Sequence, residues 1–473
     1  MKEESVKSSA SRFALYFGNR ALFPGSLQAA ARKEMFEAVR ARGHEVLVME
    51  ESATRFGAVE TREEGAKFAA FLARNKEKID GVVLCLPNFG DENGAVEAFR
   101  DTNLPIFVQA YPDELGRMSP ELRRDAFCGK LSIMDVFHQW GIKFTSLAPH
   151  VVSPSSETFA RNLDHFDRVC RVVKGLKNLR VGAIGARTTA FKTVRIDELA
   201  LQRQDINVET YDLSSVIARL KSIRSSSGAY RDKALRLREY SDWSGAPDEA
   251  FDTLVRLGVA LDELVERDQL DCLAVRCWIE MQETLHVSPC VLMGELNERG
   301  IASSCELDIG NAVAMRALGA ASGASAACLD WNNNYGDDPE KCILFHCGPV
   351  PSDLMKAKGR ICDHAILANI VGKGCSFGCD VGRIAPTAFS FASLMTENGA
   401  LRYYLGEGEF TDDPIPSDFF GTGGVARIPS LQEGLLRIGQ AGFRHHVSVT
   451  PGNFLAPLEE ALTKYLGCEA MRF

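Results

Sequence analysis

Four short apolar runs decide the fold of the first part of this chain: RFALYF at residues 12–17, HEVLVM at 44–49, GVVLCL at 81–86 and PIFVQA at 105–110. Each run has the length of a strand and is nearly continuous in apolar residues, as strands buried on both faces are. Residues 26–41 and 61–76 have the spacing of helices. Strand and helix in alternation predict a doubly wound parallel sheet, in which ligand groups gather at the carboxyl ends of the strands.

The same alternation continues beyond a polar helical region at residues 155–176. Strand patterns occur at residues 179–185, 206–211 and 271–278, and helical patterns at 230–242, 247–267 and 309–318. Beyond about residue 350 the pattern changes to short β candidates separated by Gly, Pro and Asp, which is typical of an antiparallel sheet or barrel. These candidates lie at residues 365–371, 387–394, 401–405, 425–428 and 446–449, and a closing helix is predicted at 456–466.

The predicted fold class is therefore α/β, with two doubly wound parallel-sheet domains followed by a β-rich, barrel-like antiparallel domain. We place the N-terminal α/β domain at residues 1–155 and a middle α/β domain, which carries the candidate metal-binding acids, at 156–349. The β-rich domain takes residues 350–473 and supplies a late histidine. A chain of 473 residues has the length of about three domains.

Composition excludes several classes of protein. The net charge of −9 and the pI near 5.6 argue against a nucleic-acid partner. No apolar run is long enough to span a membrane, and the N-terminal MKEES lacks the apolar core of a secretory signal. The 14 cysteines are dispersed, which fits a reducing cytoplasm, and we interpret them as small buried apolar residues.

Chemistry concentrates in residues 305–346. Glu306 stands in SCELD (304–308), Asp330 closes the apolar run at 326–329, and His346 stands in ILFHCG (343–348), each where we expect a strand to end. Together with His446 of the late His445-His446 pair, two carboxylates and two imidazoles suit a hard or borderline divalent cation such as Mn²⁺, with Mg²⁺ or Co²⁺ as alternatives. Singly, each acid has an ordinary structural explanation, as a residue at a helix N-terminus or in a turn.

Three segments carry a resemblance to a known family: CWIE at residues 277–280, MGELNERG at 293–300 and SSCELD at 303–308. They resemble the L-fucose isomerase and L-arabinose isomerase family of metal-dependent aldose-ketose isomerases. The separation of Glu306 from Asp330 is similar to that of the two metal-binding acids of fucose isomerases. His346 lies close to where arabinose isomerases place a histidine ligand, whereas fucose isomerases are thought to use two acids and the late histidine.

The resemblance implies a site shared between chains. It implies metal ligation by Glu306, Asp330, His446 and His346, with Asp308 beside the ligands and His445 as a substrate contact. It also implies a homo-oligomer in which the N-terminal domain of a neighbouring subunit presents residues to the sugar. Those residues would be Arg20, Asn88 and Lys130. The chain departs from the family at Gly18-Asn19-Arg20. An arginine there can bind a charged substituent such as a carboxylate, phosphate or sulfonate, or it can be an ordinary surface cation, and the sequence leaves both readings open.

The predicted function is interconversion of an aldose and a ketose in the cytoplasm. The expected mechanism passes through a metal-stabilised cis-enediol, with Glu306 and Asp330 as the acid and base. Two alternatives stay open: a non-catalytic sugar-binding or sensing protein on the same α/β domains, and a metal-dependent epimerase or aldolase that uses the same enediolate.

Overall fold

The structure is a computed structural model that describes residues 10–473. The N-terminal segment MKEES, on which the prediction about a secretory signal depends, lies outside the described residues. The chain divides into two compact units, one that ends at Lys174 and one that comprises Gly175–Phe473. No helix in the described part of the chain is long and apolar enough to cross a membrane.

The first unit is a four-stranded parallel sheet with the strand order β2-β1-β3-β4. Its strands are β1 (Arg12–Phe17), β2 (Glu45–Val48), β3 (Gly81–Leu86) and β4 (Ile106–Ala110). Its helices are α1 (Ser26–Ala41), α2 (Arg62–Asn75), α3 (Glu92–Phe99), α4 (Ala126–Gln139) and α5 (Glu157–Gly175). Strands β1, β3 and β4 are buried almost throughout, as their continuous apolar sequence predicts.

The second unit begins with another parallel sheet, in the strand order β6-β5-β7-β8. These strands are β5 (Leu179–Ile184), β6 (Ile206–Tyr211), β7 (Cys272–Val275) and β8 (Ala302–Cys305). The helices around them are α6 (Glu198–Gln202), α7 (Leu213–Ser222), α8 (Gly228–Tyr240), α9 (Asp248–Asp268), α10 (Glu280–Leu285), α11 (Cys290–Glu298) and α12 (Ile309–Ser322). Asp308 caps α12 by accepting the backbone N–H of Asn311.

The rest of the second unit is a nine-stranded, mostly antiparallel sheet. Its strands are β9 (Ala327–Asn334), β10 (Lys341–His346), β11 (Arg360–Asp363), β12 (Phe377–Arg383), β13 (Thr387–Glu397), β14 (Ala400–Phe410), β15 (Thr422–Arg427), β16 (His446–Pro451) and β17 (Glu469–Arg472). The order is β11-β12-β15-β10-β9-β16-β13-β14-β17. An additional pairing of β14 with β15 closes six of these strands into a barrel. The three helices α13 (Ala368–Val371), α14 (Leu431–Gln440) and α15 (Leu455–Glu460) connect or cover them.

The predicted fold class is confirmed: two parallel sheets with helices precede a mostly antiparallel sheet. One predicted strand is wrong, because residues 365–371 form a turn and the short helix α13. A short apolar run does not distinguish helix from strand, and Ile366 and Ile370 are exposed here rather than packed in a sheet. Strands β9 and β10 lie in the barrel sheet, although they precede residue 350. The predicted division into three domains, with boundaries after residues 155 and 349, stays a prediction.

Candidate metal centre

Glu306 is held in a constrained loop directly after β8. Glu306 and Leu307 both have left-handed backbones, with φ angles of 62° and 60°. For a residue other than glycine, the left-handed backbone conformation costs about 1–3 kcal/mol of strain energy. Residues with such strained backbones cluster at functional sites. Asp308 then begins α12, while the Trp278 ring nitrogen Nε1 donates to Glu306 Oε1 at 2.9 Å. The loop therefore turns the Glu306 carboxylate out of the sheet and fixes its orientation.

His446 is the fully buried first residue of β16, and both of its ring nitrogens face carboxylates. Nδ1 lies 2.7 Å from Asp308 Oδ2, and Asp308 Oδ1 accepts a hydrogen bond from the buried Arg444 guanidinium. Nε2 lies 2.9 Å from Glu306 Oε2 and 3.4 Å from Asp330 Oδ1. Asp308 thus holds a proton on Nδ1 and directs Nε2 at the two other acids, so that a proton or a metal cation on Nε2 would lie between them.

Asp330 reaches the same ring nitrogen from the neighbouring strand. Residues 330 and 446 are direct partners in the antiparallel pairing of β9 with β16. The sequence-based expectation that a strand ends at Asp330 is wrong, because β9 continues to Asn334 and pairs with β10. The neighbouring His445 is exposed, and its Nε2 lies 3.7 Å from Asp330 Oδ1. Glu306, Asp330 and His446, distant in sequence, therefore belong to one site.

His346, at the end of β10, is buried beside this site, with its ring centre 6.0 Å from that of His446. The backbone N–H of Cys347 donates to His346 Nδ1 at 2.9 Å. An Nδ1 that accepts leaves the proton of the neutral ring on Nε2. His346 is therefore prepared to donate a hydrogen bond into the site, in contrast to His446, whose Nε2 is prepared to bind a cation.

The charges of the site are strongly coupled. Burial would raise the pKa of Glu306, but His446 and His346 bring it below its ordinary value. Burial is likewise opposed at Asp308, where Arg444 and His446 hold the pKa far below its ordinary value. Burial would lower the pKa of His446, yet the hydrogen bond of Nδ1 to Asp308 and the nearby Glu306 carboxylate raise it to about 9. The site therefore holds anionic carboxylates and favours a positive charge between them.

Whether a cation fits between these side chains can be judged from the buried polar atoms that have no hydrogen-bond partner. Among the described residues, Asp330 Oδ1, His346 Nε2 and His446 Nε2 are buried atoms of this kind. Buried polar groups normally have partners, so three such atoms facing one space indicate a missing occupant. Glu306, His346 and His446 offer ligand atoms within 4.8 Å of one another, as do Asp330, His445 and His446. Oxygen and imidazole donors of this kind suit Mn²⁺, Mg²⁺ or Co²⁺.

Two aromatic side chains, Phe191 and Trp278, lie beside the site, and neither of them has a role in the sequence-based predictions. The Phe191 ring centre is 5.5 Å from that of His445, 5.9 Å from that of His446 and 5.7 Å from that of Trp278. Phe191 belongs to the loop between β5 and α6. Phe191 belongs to no sequence motif, and only folding brings its ring close to the two imidazoles.

The side of the site that faces solvent is formed by the acids. Glu306 and Asp330 are partly exposed, whereas the imidazoles of His346 and His446 are buried.

The three N-terminal candidates lie in the first unit, near the carboxyl ends of its strands or on α4. Arg20 pairs with Glu92 at 2.8 Å, and its guanidinium carbon lies 4.0 Å from the centre of the Phe89 ring. Asn88 is buried, donates to Asn19 and leaves its Oδ1 without a hydrogen-bond partner among the described residues. Lys130 is buried and donates to the carbonyl oxygen of His150 at 2.8 Å. Burial lowers the pKa of Lys130 to about 8.

Comparison with known proteins matches both ends of the chain. The family model described as fucose/sulfoquinovose isomerase, N-terminal domain, matches residues 14–177, and the model of the L-fucose isomerase C-terminal domain matches residues 344–472. A protein of Priestia megaterium named sulfoquinovose isomerase is 22% identical over 81% of this chain and 83% of its own length. One of Alkalicoccus urumqiensis with the same name is 24% identical over 59% of this chain and 62% of its own length.

Proposed function

The chain belongs to the fucose isomerase family, whose N-terminal and C-terminal domains both match it, and from this premise we propose that it interconverts an aldose and a ketose. The observation that supports the proposal is the approach of the Glu306 and Asp330 carboxylates to Nε2 of His446, beside buried polar atoms that have no hydrogen-bond partner among the described residues. A divalent cation such as Mn²⁺, held there, would polarise O1 and O2 of the open-chain sugar and stabilise the cis-enediol.

We assign distinct roles to the four side chains predicted as ligands. Glu306, Asp330 and His446 hold the cation, and the two carboxylates also move the proton between C2 and C1 of the sugar. His346 donates a hydrogen bond from Nε2 to a substrate oxygen, because its Nδ1 already accepts the Cys347 N–H. Phe191 and Trp278 shield the buried imidazoles from water, which strengthens the electrostatic interactions within the site.

The substrate that we propose is an aldose with an acidic substituent. The relatives above are named for sulfoquinovose, a sulfonated aldose. Arg20 and Lys130 supply two cationic groups in the N-terminal unit, and an arginine fork suits the oxygen atoms of a sulfonate. In agreement with the family resemblance, we propose that a neighbouring subunit of a homo-oligomer presents Arg20, Asn88 and Lys130 to the sugar. We propose that His445 also contacts the sugar.

The test is a direct assay on purified protein supplied with Mn²⁺. Sulfoquinovose and the neutral aldoses fucose and arabinose are incubated with the wild type, and products are identified by NMR. We expect a ketose from sulfoquinovose and little turnover of the neutral sugars. A C2 epimer or a cleaved carbon chain would instead establish an epimerase or an aldolase, and an unchanged sugar would favour a binding protein.

Variants connect the activity to the site. Glu306→Gln and Asp330→Asn remove one carboxylate each and keep the side-chain shape. We expect both to lose at least about a thousandfold in kcat, since each loses a proton-transfer group and a ligand. The exposed Glu283 of α10 provides the matched control, and Glu283→Gln should retain wild-type activity. Full activity in Glu306→Gln would remove the mechanism.

A further inference from the structure

Three cationic side chains of the first unit, Arg20, Lys130 and Arg124, differ in the partners that they have. Arg20 pairs with the carboxylate of Glu92 at 2.8 Å. Lys130 is buried and donates to the carbonyl oxygen of His150. Arg124, two residues before the first residue of α4, forms no ion pair with any residue that the structure describes. Its charge is therefore available to an anion from outside the chain.

The guanidinium of Arg124 is held in a fixed orientation. Its central carbon lies over the ring of Tyr111, 4.6 Å from the ring centre, and Nη1 donates to the carbonyl oxygen of Pro87 at 2.9 Å. The backbone is fixed as well, since its N–H donates to Asp113 Oδ1 at 2.6 Å and its carbonyl oxygen accepts the N–H of Phe89 at 3.0 Å. A guanidinium has five N–H donors, so the other nitrogens can donate to a ligand.

Polar atoms in the next residue of the same loop and in α1 also lack partners. Asn88 directly follows Pro87 and is fully buried, as is Gln28 of α1. Both side chains donate to Asn19 Oδ1, while Asn88 Oδ1 and Gln28 Oε1 have no hydrogen-bond partner in the described part of the chain. Buried oxygens normally accept a hydrogen bond. A ligand that carries a hydroxyl group and an acidic group matches Asn88 and Arg124 together.

An ordinary surface cation would look different, and the neighbouring Arg123 shows how. Arg123 is exposed and pairs with Asp125 at 2.7 Å, as surface arginines commonly do. Arg124 is partly buried, stacks on Tyr111 and has no carboxylate on its guanidinium. A guanidinium that is already immobilised loses little side-chain entropy when it binds an oxyanion, so its geometry favours such a ligand.

We propose that Arg124 binds the acidic substituent of the sugar, an oxyanion such as a sulfonate, and so determines the preference for an acidic aldose. The choice of a sugar rests on the proposed function, whereas the choice of an oxyanion rests on the guanidinium of Arg124. Two parallel N–H groups of an arginine match two oxygen atoms of a sulfonate or a phosphate. Arg124 thus joins Arg20 and Lys130 as a substrate contact of the first unit.

The experiment measures the binding of three sugars to the full-length wild type by titration calorimetry. The sugars are sulfoquinovose, glucose 6-phosphate and quinovose, which is sulfoquinovose without its sulfonate. We expect one acidic sugar to bind at least about tenfold more tightly than quinovose, because hydrogen bonds to charged groups are strong. Preference for glucose 6-phosphate would support the oxyanion site but not a sulfonated substrate. Equal binding of all three sugars overturns the proposal.

Variants assign the effect to one side chain. Arg124→Met keeps the apolar stem and should bind the preferred acidic sugar about 10–100-fold more weakly, with little change for quinovose. Arg124→Lys keeps the charge without the planar fork and should be intermediate. Arg123→Met is the matched control and should bind as the wild type does. Structural damage weakens both sugars alike, so the ratio of the two affinities is decisive, and a wild-type ratio in Arg124→Met overturns the proposal.

Activity separates this inference from the proposed function. A wild type that binds the acidic sugar through Arg124 but converts no aldose would contradict the isomerase proposal and keep the oxyanion site. An active wild type whose kcat/KM for sulfoquinovose is unchanged in Arg124→Met would overturn the oxyanion site and keep the isomerase proposal. If Arg124→Met does not fold, the affinity ratio of Arg124→Lys decides in its place.

Discussion

At the scale of single residues, the hydrogen-bond partner of each ring nitrogen determines what the two buried histidines can do. His446 and His346 are both buried imidazoles, yet their partners differ. Asp308 receives the proton of His446 Nδ1, whereas the N–H of Cys347 occupies Nδ1 of His346. The same residue type is thereby prepared for two tasks, to bind a cation and to donate a hydrogen bond.

Asp308→Asn tests the positioning role of Asp308. Asparagine keeps the helix cap at α12 but removes the charge that orients and polarises His446. We expect the affinity for Mn²⁺ to fall about 10–100-fold, as for other partners of metal-binding histidines. Arg444→Met is the comparison, since it breaks the same ion pair but keeps the contact between Asp308 and His446. Isothermal titration with Mn²⁺ should show the larger loss in Asp308→Asn; equal losses would show that the ion pair alone matters.

The buried side chain of Lys130 makes the folding stability of the protein depend on pH. Burial lowers its pKa from 10.5 to about 8, so below pH 8 the folded protein carries a buried charge. Between about pH 8 and 10.5 the unfolded state binds more protons than the folded one, and the contribution of Lys130 to stability therefore improves as pH rises. The charge costs about 3 kcal/mol at pH 7.

Lys130→Met should therefore stabilise the protein at pH 7, by about 1–3 kcal/mol after loss of the hydrogen bond to His150. The gain should shrink toward zero as the pH approaches 10.5. Urea unfolding at pH 7, 8.5 and 10 measures the difference from wild type. Lys67→Met is the control, because the exposed Lys67 also donates to a carbonyl, that of Ala53. A gain that does not depend on pH would show that burial of the charge is not its source.

At the scale of elements, helix α12 connects the parallel sheet to the barrel. It begins at Ile309, after its capping residue Asp308 and the Glu306 loop, and packs against β13 and β16. Gly310 in its first turn permits the close approach, since a Cβ there would lie 2.5 Å from the carbonyl oxygen of Leu394. This contact holds the start of α12 against β13, and the contact of Asp308 with His446 joins it to the start of β16.

Gly310→Ala should therefore disturb the metal centre without changing a ligand. The added methyl pushes the N-terminus of α12 away from β13, which we expect to cost about 1–3 kcal/mol and to weaken Mn²⁺ binding as Asp308 shifts from His446. Gly319→Ala, in the same helix, meets its nearest atom only at 3.4 Å and should stabilise by up to about 1 kcal/mol. Thermal unfolding and Mn²⁺ titration of both variants measure the contrast. Unchanged Mn²⁺ affinity in a folded Gly310→Ala would contradict the role given to α12.

At the scale of the whole molecule, the proposed active site needs two chains. In our proposal the metal ligands come from the second unit of one chain, and Arg20, Asn88 and Lys130 come from the first unit of a neighbouring subunit. Closed homo-oligomers with such shared pockets allow inactive variants to complement each other.

Coexpression of Arg20→Ala with Glu306→Gln tests this arrangement. Each variant alone should be inactive, whereas random mixing of subunits restores about a quarter of the pockets to wild-type composition. The measurement is isomerase activity of the mixed oligomer, separated by two different affinity tags. A mixture as inactive as its parents would place both residues in a pocket of one chain, and an active Arg20→Ala would remove Arg20 from the substrate contacts.

The sequence by itself determined the periodicity of the elements and the candidate acids. Strands β1 and β3 and helix α1 match their predicted ranges because continuous apolar runs and helical spacing report burial locally. Glu306, Asp330 and His446 were named from spacing and from a family resemblance. Tertiary structure alone decided that Asp330 pairs with His446 across two strands and that Phe191 reaches the rings of His445 and His446. Such contacts join residues that are far apart in the chain. A local sequence pattern reports only on its own segment and does not show which distant segments become neighbours when the barrel closes.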